Sequence, residues 1–133
     1  MSLLQFVVCL QCSEIHSATN FKTFTMKEFM FLVRGQDAIS PEELPARLNA
    51  YESWMHNLVS KGRFREGQPL HDKSILVISA SDVLDDGYFS RSKELVSGYL
   101  IINANDFGEA VEIAKTCPLI DQFPIEVREV KLR

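Results

Sequence analysis

Two stretches of the 133-residue chain carry helix start and stop signals together, and they divide the remainder into strand-like runs. The first opens at "SPEEL", where Ser40 is placed as N-cap, Pro41 at the first helical position and Glu43 to complete a capping box. Leu44, Leu48, Tyr51, Met55 and Leu58 then recur at spacings of four and three, a single apolar stripe, and Gly62 ends the helix. The second runs from Asp106 as cap, with Glu109 three residues on, to Pro118 as stop. Phe107, Ala110, Ala114 and Cys117 make up its apolar stripe.

The runs between them read as strands. "KEFMFLVRG" is aromatic and branched and is closed by Gly35, "SILVISA" and "GYLIINA" follow the first helix, and "IEVREVKL" follows the second. The order β-α-β-β-α-β, with room for one more short strand before the second helix, predicts an α+β fold. It is a ferredoxin-like split βαβ arrangement, an antiparallel sheet with two helices on one face. The strands do not alternate cleanly. Phe29, Phe31 and Val33 oppose Met30 and Leu32, and Ile75 and Val77 oppose Leu76 and Ile78. Strands apolar on both sides need cover on both sides, and two helices supply only one. The expected second cover is the sheet of another copy, so the sequence predicts a homodimer.

Composition excludes several functions. A net charge of −4 and a pI near 5.3 leave no basic footprint for nucleic acid. No run approaches the roughly 18 apolar residues of a membrane helix. Three cysteines do not form a disulfide framework, and Cys117, just before Pro118, reads as a small buried residue. Cys9, Cys12 and His16 have part of a zinc or redox spacing, but nothing completes a tetrahedral set, so no metal and no cofactor are expected. Residues 1–25 read as an extension to a domain spanning 26–133, either an added strand or helix or the vestige of a signal. No Lys or Arg precedes their apolar stretch, which favours a cytoplasmic protein over an exported one.

"MKEFMFLVRG", "GRFREGQPL", "DDGYFSRSKELVSGYLIINANDFGEAVEIAKTCP" and "IEVREV" together resemble the landmarks of the YCII-related, or DGPF-domain, family. The resemblance covers residues 26–132. It implies a dimeric α+β barrel built from two ferredoxin-like units, which agrees with the two-sided strands. Where such proteins read Asp-Gly-Pro-Phe, this chain has Asp86-Gly87-Tyr88-Phe89, and Ser92-Lys93-Glu94 stands for their Thr-Lys-Glu. Shorter members pair a helix histidine with an Asp after a Gly-Pro-Leu turn. Here the matching positions are Tyr51 and Asp72, so half of that dyad is missing.

Candidate chemistry gathers in "DDGYFSRSKE". Asp86-Gly87 alone is a good turn signal. Tyr88 and Phe89 add ring surface, and Arg91, Lys93 and Glu94 crowd charge beside it, ahead of Tyr99. An apolar wall with a few convergent polar groups suits a small-molecule site, and a charged surface loop is the competing reading. Asp86, Glu94 and Asp72 are the candidate acid–base groups. Tyr51, Tyr88, Phe89, Arg91, Lys93 and Tyr99 are the candidate ligand contacts. His56 is expected to pair with Glu52 one turn earlier in solvent, and His71-Asp72 to serve a turn. The sequence thus favours a small-molecule-binding, regulatory dimer; the alternative is a lactone isomerase or dehydrohalogenase-like enzyme using carboxylates.

Overall fold

The computed structural model describes residues 26–35, 39–85 and 95–131. Six strands and two helices follow in the order β1 (Lys27–Arg34), α1 (Leu44–Ser60), β2 (Phe64–Pro69), β3 (Leu76–Ser79), β4 (Asp82–Leu84), β5 (Val96–Ala104), α2 (Phe107–Lys115) and β6 (Ile125–Glu129). Strands β2, β5, β1 and β6 form one antiparallel sheet in that order, and β3 pairs with β4 in a separate hairpin. This is the ferredoxin-like α+β arrangement, with both helices on one face of the main sheet. None of the described helices is long and apolar enough to cross a membrane.

Side-chain alternation decides which face is covered. Phe29, Phe31 and Val33 of β1 and Leu100, Ile102 and Ala104 of β5 pack against Tyr51, Met55 and Leu58 of α1 and Ala110 and Ala114 of α2. The opposite face carries Met30 and Leu32, whose register partners on β5 are Ile101 and Tyr99. Those four side chains are only half-buried, and no described helix lies over them.

Three expectations about the fold need correction. "SILVISA" does not enter the main sheet. Its place beside β5 belongs to Phe64–Pro69, whose Glu, Gly, Gln and Pro give little strand signal. An edge position tolerates Pro69, and Gly67 permits the close approach. A Cβ at Gly67 would lie 2.6 Å from Leu100 Cδ2 and 2.7 Å from the Tyr99 carbonyl oxygen. Gly67→Ala is therefore expected to cost about 1–3 kcal/mol, visible as a lower urea midpoint with an unchanged slope.

The second correction concerns the start of α1. Residues 41–43 form a turn, and the helix proper begins at Leu44 with Glu43 as its cap. The Ser40 carbonyl accepts from the Glu43 and Leu44 amides, and Ser40 Oγ donates to the Glu43 carboxylate at 3.3 Å. Pro45, not Pro41, occupies the first turn, because the Pro41 ring is accommodated in the lead-in. Third, Phe107 is 48% exposed rather than buried: it sits at the first position of α2, its ring edge-on to that of Phe29 with centroids 5.5 Å apart. The remaining punctuation holds. Asp106 Oδ1 accepts from the Glu109 amide at 2.8 Å, and Gly62 turns the chain out of α1 at φ +69°.

Candidate functional site

Two concavities stand out among the described residues. The larger, about 610 Å³, is the groove between the helices, floored by Trp54, Leu58 and Ile113. Four of its polar groups are matched to one another in two pairs. Arg63 donates to the Glu109 carboxylate at 2.5 Å, and Trp54 Nε1 donates to Thr116 Oγ1 at 2.8 Å. These bonds tie the two helices and the start of β2 together.

The second pocket, about 490 Å³, lies at a corner of the sheet where β1 ends, β2 hands over to its loop and β5 begins. Leu70, Leu95 and Val96 make it apolar, while Arg34, His71, Lys73 and Ser74 supply polar groups. Local pairing brings these distant residues together. Arg34 is the register partner of Val96, across an irregularity that leaves Ser97 unpaired in the ladder. Ser97 Oγ donates to the Val33 carbonyl and the Leu70 amide donates to the Ser97 carbonyl, which pins the loop after β2 to the start of β5. Gly35, at φ +103°, then turns β1 away, its amide donating to the Leu95 carbonyl.

Its charged or ionisable lining residues among those described, Arg34, His71 and Lys73, are all basic, although the chain as a whole carries −4. Arg34 is held by Glu126 on the neighbouring strand, at 2.6 Å through one terminal nitrogen and 3.1 Å through Nε. Lys73 and His71 have no ion-pair partner among the described residues. Ser74 Oγ is sealed from solvent with no hydrogen-bond partner there, a state that costs free energy until an acceptor or donor arrives.

Of the residues singled out from sequence, Asp86, Tyr88, Phe89, Arg91, Lys93 and Glu94 lie outside the described residues. The other three are not brought together. Asp72 is exposed in the loop after β2, next to the pocket residues His71 and Lys73. Tyr99 sits mid-strand on the face opposite the helices, between Leu32 and Gln68. Tyr51 belongs to the core on the helix side, 2% exposed, its ring 5.5 Å from that of Trp54. Its hydroxyl has no hydrogen-bond partner among the described residues, and burial, with a smaller contribution from Cys117, pushes its pKa well above the usual phenol range. His56 and Glu52 form the expected exposed pair at 3.7 Å.

Sequence reasoning passed over Arg34, Lys73 and Ser74. "LHDKS" was legible as a polar cluster closing a turn, but nothing local links it to the arginine that ends β1.

Among curated proteins, none matches the chain. A similar solved structure is the 5-chloro-2-hydroxyhydroquinone dehydrochlorinase of Burkholderia phenoliruptrix AC1100 in complex with 2,5-dihydroxybenzoquinone. It is 19% identical, the match covers 80% of this chain and 95% of that one, and the TM-score is 0.44. The match that defines the chain is of another kind: the YCII-related domain spans residues 28–132, and the protein belongs to that family.

Proposed function

We propose that the protein binds a small organic anion, of the size of an aromatic carboxylic acid, in the pocket at the sheet corner, and that it does so as a homodimer. One observation carries the reading: Arg34, His71 and Lys73 converge on an apolar pocket whose described lining contains no carboxylate, in a chain that is acidic overall. Leu70, Leu95 and Val96 would take the ring, Lys73 and Arg34 the carboxylate, and Ser74 a second oxygen. Support for the dimer comes from Met30, Leu32, Tyr99 and Ile101, an apolar strip on the sheet face that the helices leave open.

Binding is favoured over catalysis because the family's helix-histidine position is held by Tyr51, which is locked in the core. An isomerase or dehydrohalogenase would need Asp86 or Glu94 as its base.

Titration calorimetry with benzoate and with a neutral lactone of similar size tests this reading. Lys73→Glu should weaken the acid at least tenfold, about 1.4 kcal/mol, and leave the neutral compound unchanged. Equal affinities of the parent protein and the variant for benzoate would remove the pocket from consideration. Turnover of the lactone, lost in Asp86→Asn, would favour the enzymatic reading.

A further inference from the structure

The groove between α1 and α2 is the larger of the two concavities, and it shares no lining residue with the pocket at the sheet corner. Bonds at its two ends fix its width. At one end Trp54 Nε1 donates to Thr116 Oγ1, which donates in turn to the Ile113 carbonyl at 2.6 Å. At the other, Arg63 donates to the Glu109 carboxylate, which also accepts from the backbone and side-chain amides of Asn105. The helices thus run antiparallel, Trp54 meeting the end of α2 and the chain after α1 meeting its start. A site held open in this way needs little ordering when a ligand enters.

Between those ends the two walls carry opposite charges. Lys61 stands on the α1 side, exposed and with no ion-pair partner among the described residues. Glu112 stands on the α2 side, one turn beyond Glu109. It reaches Lys115 at 3.1 Å, but both side chains are mostly exposed, and such a pair holds a carboxylate weakly. Arg63 and Glu109 neutralise each other, so the groove offers one cation and one anion over a floor of Trp54, Leu58 and Ile113. We propose that this groove is a second ligand site, and that it takes a zwitterion with an apolar body, a free α-amino acid of about leucine's size. An α-amino acid bears its carboxylate and ammonium on one carbon. Lys61 would take the carboxylate, Glu112 the ammonium, and the side chain would lie along Leu58 and Ile113 towards Trp54. The volume of about 610 Å³ is within the usual range of small-molecule pockets. A simple anion would face Glu112 and a simple cation would face Lys61, so the groove discriminates against both.

Trp54 is the only tryptophan of the chain, so its fluorescence reads the groove directly. Titration of the full chain with L-leucine should give a saturable change with a Kd of about 1 mM or tighter. Isocaproate and isopentylamine, which each lack one of the two charges, should bind at least about tenfold more weakly. Lys61→Gln and Glu112→Gln should each weaken leucine to a similar degree, with circular dichroism as the check on folding. Benzoate affinity, read by calorimetry, should be the same in the parent and in both variants. The absence of a saturable change with leucine would overturn the site. So would variants that bind leucine as tightly as the parent. Isocaproate binding as tightly as leucine would overturn the assignment to a zwitterion. Loss of benzoate affinity in Lys61→Gln would also overturn the proposal, because the groove would then not be separate from the pocket at the sheet corner.

Discussion

Phe31→Ala should remove on the order of 4 kcal/mol of stability, a large part of what a domain of this size possesses. Phe31 is fully buried on the central strand, with Leu100 and Val127 as its register partners on either side. It faces the helix layer, so its ring is shared by both layers of the core. Removing it takes away apolar burial and leaves a cavity that neither a four-stranded sheet nor a pair of bonded helices can collapse into. Urea titration followed by tryptophan fluorescence reads the loss, because Trp54 lies in the same cluster. Phe107→Ala is the matched control. Phe107 is half-exposed at the start of α2, and its removal should cost about 1 kcal/mol, mostly its edge contact with Phe29. Equal losses at the two positions would mean that the core does not lie where the alternation of β1 puts it.

Most of that core was legible because its signals are local. Alternation along β1 announces Phe29, Phe31 and Val33, and the stripe of α1 announces Tyr51, Met55 and Leu58. The cap of α2 is encoded by Asp106 and Glu109 within one turn. The identity of the second sheet strand was not legible. "SILVISA" has much the stronger β propensity, yet the slot beside β5 goes to "FREGQP", because Gly67 fits against Leu100 and Tyr99 where a side chain would collide. Propensity measures how well a segment suits a pleated surface, not which surface it joins. The site failed to show for a related reason. Arg34, Lys73 and Val96 meet only through strand register and the Ser97 irregularity, which no window along the chain contains. Tyr51 carries two signals. Its match to a family position pointed to a site, whereas its place in the α1 stripe already assigned it to the core.

That burial of Tyr51 beside Cys117 makes the fold sensitive to alkali. Burial pushes the Cys117 thiol up from 9.0 to about 11, against a smaller downward pull from a backbone hydrogen bond at Leu119. Burial likewise raises the Tyr51 phenol, and a Cys117 thiolate would raise it further. Below pH 9 both groups are protonated in the folded and unfolded chains, and their packing contributes in full. Above pH 9 the unfolded thiol ionises while the folded one keeps its proton, so the unfolded state binds fewer protons and stability falls as pH rises. The loss accumulates until the folded thiol itself ionises near pH 11 and reaches on the order of 2–3 kcal/mol, with the unfolded phenol adding to it above pH 10. Urea unfolding at pH 8, 9.5 and 11 should show that slope. Tyr51→Phe removes a buried hydroxyl that has no partner among the described residues, so at pH 8 it should be neutral or stabilising by about 1 kcal/mol. Combined with Cys117→Ala, it should flatten the decline between pH 9 and 11, and it should leave benzoate affinity unchanged because the ring is far from solvent on the helix side. A double variant whose stability falls as steeply as the parent's would show that the two acids are not sealed in the core. A Tyr51→Phe protein that loses ligand would return this residue to the site from which its burial removes it.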